Sequence, residues 1–398
     1  MEKINPEILR WARETAGFTL EEASQKLKIQ VIKEMSPKER LTSLETGKIE
    51  PSRSMLNKMA SLYRRPLLVF YMEKPPRKAN RGQDFRTLSS DYSDATIGLV
   101  DALIRDIKTR QSILRSALED EDDIKQLSFV GSMKTDDGIE KLVKSIIKTI
   151  NFSLDKFREQ KSQDEAFKYV RNLIEYQGIY VLLIGDLGNH LSAINLDLFR
   201  GFSISDNLAP FIVINDKDSH AAWIFTLFHE LTHIWLGHTG ISGYDSEQKI
   251  EKFCNQVASE ILLPNYDPFF NKFIKISEFE EQIDEISKFA RSKNISSSMV
   301  AYKLLILGLI NQTTWKKLSN EFRNLWLVNK AKERETNRAK SGGPSYYLIR
   351  RNRLGENLIS QVHQLHRSGT LSTMKAGKVL GVNPKNIQNL YQPKIILK

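Results

Sequence analysis

The chain has 398 residues, with 59 Lys and Arg against 48 Asp and Glu, a formal charge of +11. That length exceeds one ordinary core, so two or three domains are expected. The charge favours an anionic partner, nucleic acid above all. A single cysteine excludes a disulfide scaffold, and neither a basic-then-apolar leader nor a bilayer-length apolar run is present; a cytoplasmic protein without membrane contact is expected.

From the N-terminus, Pro6–Gly17 carries a helix pattern with apolar Ile8, Leu9, Trp11 and Ala12. Thr19, followed three residues later by Glu22, reads as a capping box that opens a second helix running to Leu27. The run Leu41-Thr-Ser-Leu-Glu-Thr-Gly-Lys-Ile-Glu-Pro-Ser52 resembles the end of the recognition helix and the following turn in XRE/Cro-type helix-turn-helix domains. Met55–Tyr63 and Pro66–Tyr71 would be its closing helices. The resemblance covers residues 6–72 and implies that Lys38, Arg40, Thr42 and Ser43 lie near DNA. Between Ala23 and Leu41 the chain holds about seven residues more than the usual spacing, and Pro37 is placed to start the third helix at its first turn. A helical domain turned over to protein contact is the alternative.

Pro75–Gly82 reads as a linker and Glu119–Asp123 as a solvated acidic loop. Helix-period patterns follow at 93–118, 138–151 and 164–176. Gly178–Ile184, Ala193–Leu196, Phe199–Ile204 and Phe211–Asn215 read as short strands. They predict a small antiparallel-type sheet whose edge can pair with an extended peptide.

Residues 229–233 read His-Glu-Leu-Thr-His within an apolar stretch that includes Phe225, Leu227, Phe228, Leu231, Ile234 and Trp235. On a helix, His229 and His233 share one face and can converge on one Zn²⁺. Glu230 falls about 100° round, within reach of a water at the metal without ligating it. A helix apolar nearly all round is buried, and two imidazoles and a carboxylate are costly there unless paired or metal-bound.

A catalytic zinc site needs a third protein ligand. His238 comes five residues after His233, which misses the metzincin spacing and suits a helix-end residue. Cys254 is a strong ligand chemically, but its spacing does not single it out. Glu251 stands on a second helical pattern, Ser246–Pro264, with Phe253, Cys254, Val257, Ala258, Ile261 and Leu262 as its apolar stripe. Glu251 and Asn255 are four residues apart there, a ligand and a polar partner on one face. Glu260 is the reserve candidate, and an exposed helix glutamate is the plain alternative for Glu251.

The run Trp223–His238 followed by Glu251–Pro264 resembles the ImmA/IrrE family of metallo-endopeptidases. Cys254, Val257, Ile261 and Leu263 are mild departures from its pattern, and Gln83-Asp-Phe-Arg86 is similar to a segment found after the N-terminal domain in fused members. The resemblance implies His229, His233 and Glu251 as zinc ligands of gluzincin type and Glu230 as the general base. It also implies cleavage of a partner repressor or antitoxin in stress or mobile-element control. Tyr346 and Tyr347 are candidates for an oxyanion-holding side chain.

Ile276–Ala290 and Ser296–Gly308 form a helix-turn-helix-like pair, and Thr370–Asn386 forms another within 354–390; packing around the peptidase core is expected of both. Lys330, Lys332, Arg334, Arg338, Lys340, Arg350, Arg351 and Arg353 form a basic run read as a solvated linker or helix end. The fold expected is mainly α with a small β-sheet (α+β). Its parts are a helix-turn-helix domain over 1–74, a linker and helical connector over 75–135, a zincin-like peptidase domain over 136–340 and a helical region over 341–398. The rival reading is a non-proteolytic DNA-binding regulator or antitoxin-like protein with a structural or vestigial metal. A third is a regulator that holds a protein partner and no DNA.

Overall fold

The computed structural model describes residues 4–31, 35–76, 94–121, 125–188, 192–242, 249–338 and 345–391. The expectations for Gln83–Arg86 and for Lys340 lie outside them, as do most of the 75–82 linker and part of the acidic loop. Two units are present, Met1–Ile107 with Asp186–Leu198, and Lys108–Gly185 with Phe199–Lys398.

In the first unit, α1 (Pro6–Thr15) starts where Asn5 Oδ1 accepts from the Glu7 amide. Helix α2 (Leu20–Lys26) opens with the expected Thr19–Glu22 capping box. A second such box, Ser36 with Glu39, opens α3 (Pro37–Glu45), with Pro37 in its first turn. Helix α4 (Arg53–Tyr63) is capped by Ser52. The expected closing helix after it is a 3-10 turn, Leu67–Tyr71, in which Phe70 alone is buried. Ile8, Leu9, Leu41, Leu44, Leu56, Met59 and Phe70 make the core.

An ion pair lies inside this unit. Arg13 donates from Nε and Nη2 to the two Glu45 oxygens at 2.8 and 2.9 Å and from Nη1 to the Phe18 carbonyl at 2.9 Å. Both side chains are buried, and they tie the end of α1 to the end of α3. Truncating one partner leaves the other charge buried alone. Glu45→Ala is therefore expected to destabilise this unit by about 3–5 kcal/mol, read by denaturant unfolding.

Helix α5 (Asp94–Glu119) leads to α6 (Ile139–Ile150), α7 (Leu154–Arg158) and α8 (Gln163–Tyr176). The sheet of the second unit comprises β1 (Tyr180–Leu183), β2 (Gly201–Ile204), β3 (Phe211–Ile214) and β4 (Gly240–Ser242), in the order β1-β3-β2-β4. The chain between β3 and β4 forms α9 (His220–Trp235). Then come α10 (Lys249–Leu262), α11 (Phe269–Phe273), α12 (Phe279–Ser292), α13 (Ser297–Ile306), α14 (Gln312–Arg338), α15 (Tyr346–Leu354), α16 (Glu356–Arg367), α17 (Thr373–Leu380) and α18 (Gln388–Tyr391). The molecule is mainly helical with a small sheet, as expected.

Two strand expectations are corrected. The sheet is mixed, because β1 runs parallel to β3 while β2 is antiparallel to both β3 and β4. All residues of β1 and β3 are buried. Their unbroken apolar runs, without alternation, are the pattern of strands covered on both faces. Ala193–Leu196 is not a strand. Asn195 turns the chain there, its carbonyl accepting from Leu198 and its side chain from Asp197, so a local side-chain bond replaces a ladder.

The expected solvated basic run is in part structural. Arg350 donates to the carbonyls of Leu380 and Gly381 at 2.9 Å, Arg351 donates to the Leu390 carbonyl, and Arg353 pairs with Asp216 at 2.5 Å. Lys330 lies within α14 and covers the Trp326 ring at 4.1 Å. The C-terminal helices pack on the rest of this unit through a buried pair. Arg171 meets Glu175 at 2.7 Å and donates to the Asn352 carbonyl at 2.6 Å. The Asn357 amide group donates to the Glu175 carbonyl at 2.8 Å.

Candidate metal centre

Helix α9 carries the His-Glu-Leu-Thr-His run, and fourteen of its sixteen residues are buried. Ser219 caps its start, accepting from the Ala222 amide at 3.2 Å. Its end is a Schellman turn: Gly237, at φ +71°, donates to Ile234, and His238 donates from its backbone to the His233 carbonyl. His238 is thus the helix-end residue. Aromatic contacts hold the helix, with Trp235 stacked on Phe129 at 4.5 Å and Phe228 edge-on to Phe152 at 5.2 Å.

Helix α10 lies against α9 and brings Glu251 to the two imidazoles. His229 Nε2 and His233 Nε2 are 3.1 Å apart, Glu251 Oε2 is 3.1 Å from the first, and Glu251 Oε1 is 3.2 Å from the second. All three residues are at most 4% exposed. A tetrahedral zinc with bonds of about 2.0–2.1 Å spaces its ligand atoms by about 3.3 Å, so these gaps suit a small cation. Asn255, one turn beyond Glu251, has Oδ1 at 2.9 Å from His229 Nδ1. The amide oxygen accepts the Nδ1 proton, which leaves the Nε2 lone pair facing the cluster.

The protonation balance points the same way. Burial opposes charging His233, yet Cys254, Glu251 and Glu230 around it carry it well above the ordinary imidazole value. Glu251 is buried too, but the hydrogen bonds and charge of His229 and His233 hold it below the usual carboxylate range. The surroundings of His233 and Glu251 thus favour positive charge beside them. A cation satisfies them without a proton.

Glu230, fully buried, lies beneath β2. Gly201 makes that approach possible. A Cβ there would sit 2.6 Å from Thr226 Cγ2 and 3.1 Å from Glu230 Oε1. The glycine on β2 was missed in the sequence; an aromatic-flanked glycine in a strand next to the site helix is its signal. Gly201→Ala is expected to cost about 1–3 kcal/mol by overpacking, and Thr226→Ser in the same chain should recover part of it. Thermal unfolding of the two variants checks this.

The other candidates are elsewhere. Cys254 is buried against His233, and burial pushes its thiol up, so it stays protonated outside the ligand group. Glu260 pairs with buried Lys303 at 2.5 Å and caps the Asn265 amide. Tyr346 is 60% exposed and meets Tyr347 edge-on at 5.2 Å. On α3, Lys38 pairs with Glu21, Arg40 donates to the Gln30 carbonyl at 3.4 Å, and Thr42 and Ser43 bond back to Lys38 and Glu39.

Two buried imidazoles and a carboxylate, on paired helices and with a buried glutamate between the histidines, form a group that could hold a metal ion. Residues 175–305 match the family described as IrrE N-terminal-like domain, Peptidase_M78, a span that holds β1 to β3 and the whole cluster. The match supports a metallopeptidase-type domain there. No curated protein and no solved structure matches the chain. Among the described residues, no helix is long and apolar enough to cross a membrane.

Proposed function

We propose that this chain is a cytoplasmic zinc-dependent endopeptidase that cleaves a partner regulatory protein, a repressor or an antitoxin, in stress or mobile-element control. In this reading residues 136–340 are the peptidase domain, 1–74 an XRE-type DNA-binding domain, 75–135 their connector and 341–398 a helical C-terminal region. The observation that carries it is the convergence of His229, His233 and Glu251 within 4.8 Å of one another, with Asn255 setting the His229 tautomer.

Two nitrogens and one carboxylate are a donor set that zinc takes, and three protein ligands are the count of catalytic rather than structural zinc sites. A bound zinc ion supplies Lewis acidity, which acidifies water and polarises a carbonyl. Glu230 takes a proton on its carboxylate from the attacking water and passes it to the leaving amine. His229 and His233 are held by the buried helix, so the two imidazoles are oriented before a metal binds. Lys38, Arg40, Thr42 and Ser43 lie on α3 and give the N-terminal domain its expected DNA-facing side chains.

The test is metal content. Purified wild type should carry near one zinc per chain by elemental analysis, and Glu251→Ala should fall well below it, by about tenfold or more in affinity. Wild type that takes up no zinc after reconstitution would sink this reading.

A further inference from the structure

We propose that the exposed face of α16–α18 is a second nucleic-acid site, which takes duplex DNA independently of the peptidase centre. Helix α17 ends at Gly381, whose φ is +60°, and a 3-10 turn at Pro384–Asn386 runs on into α18. A Cβ on Gly377 would lie 3.0 Å from Pro384 Cα and from the Val382 carbonyl, so helix and turn meet backbone to backbone. The Val382 amide donates to the Gly377 carbonyl at 3.0 Å, and Asn383 caps the Lys385 amide. The chain thus passes from one helix through a glycine-containing turn into a second, one-turn helix, the connectivity of a helix-turn-helix.

One side of the motif is used for packing. Ala376, Val379, Leu380, Ile387 and Leu390 are buried, and Arg350 and Arg351 hold the ends of α17 and α18. The other side shows Lys385, Asn386, Gln388 and Asn389 to solvent, with Lys375 on α17 and Arg367 at the end of α16. From Asn357 to Lys398 the sequence has no Asp or Glu and six Lys or Arg, whereas the whole chain has 48 acidic residues in 398. Glu121 touches this region, accepting from Thr370 at 3.0 Å.

The chemistry favours DNA over a protein partner. Lysine and arginine neutralise phosphates, while Asn and Gln present the amide pair that reads adenine in the major groove. Protein interfaces centre on buried aromatic or aliphatic anchors. Among the described residues of α16–α18, Met374 is the large apolar side chain that is exposed.

The test is fluorescence anisotropy of full-length protein with a labelled mixed-sequence duplex across a salt series. Each of Arg367→Ala, Lys375→Ala and Lys385→Ala should lower the log–log salt slope by about 1, and the triple variant should lose affinity about 100-fold or more at low salt. Gln388→Ala should weaken binding and keep the slope. The same losses should appear in a Lys38→Ala/Arg40→Ala background, which separates this site from the N-terminal one. Lys38, Arg367, Lys375, Lys385 and Gln388 are exposed and Arg40 is half-buried, and unchanged thermal midpoints would confirm folding. A triple variant with wild-type slope and affinity overturns the proposal. Tighter binding of single-stranded RNA than of duplex by wild type does so as well.

Discussion

Glu230→Gln is expected to lower peptide hydrolysis by about 10²–10⁴-fold while leaving zinc content and folding intact. The side chain is fully buried, next in the chain to His229 and three residues before His233, yet it is not among the three converging ligand groups. Gln keeps its shape and removes the group that accepts a proton. It also removes a buried negative charge that helps hold His233 above the ordinary imidazole value, so metal content should be compared at saturating zinc. The measurement is single-turnover cleavage of a reporter protein beside elemental analysis of the same sample. A variant that hydrolyses at the wild-type rate would remove Glu230 from the proton path. One that has lost its metal would make Glu230 a support of the site instead.

Metal removal should have the second largest effect. A cation that binds only the folded chain stabilises it by about 4 kcal/mol when free metal is about 1,000-fold above Kd. Chelation should then lower the thermal midpoint by on the order of 10 °C. The Glu251→Ala variant provides the control: it should start near the chelated midpoint and move little on chelation. The direction with pH follows from the ligands. Protons compete with the cation for His229, His233 and Glu251, so affinity weakens as the pH falls and recovers as it rises. Titration of zinc into metal-free protein at several pH values checks the sign. A midpoint indifferent to both chelator and zinc would show that the three groups are satisfied by protons alone.

Much of the centre was legible because it is written in local spacing. His229 and His233 are four apart on an apolar stretch, and Glu251 and Asn255 are four apart on the next helical pattern. Helical periodicity puts each pair on one face without reference to the rest of the fold. Helix caps were legible for the same reason: Thr19 with Glu22 and Pro37 at the third helix are signals within a single turn. Long helix α14 was not recognised. It is polar over most of its length, with Leu318 and Phe322 as buried anchors, so it has little periodic signal.

The amino-acid sequence by itself determined the two helix faces of the centre, the helical content and the motif that names its chemistry, since these depend on residues at most a few positions apart. Tertiary structure alone decided the partnerships between distant segments. It set β1 parallel to β3, brought Gly201 against Glu230, and sent Arg13 to Glu45 and Arg350 to the end of α17. Those contacts join residues far apart in the chain. What selects them is how buried surfaces fit and how buried charges find partners, and neither is visible in a window of neighbours.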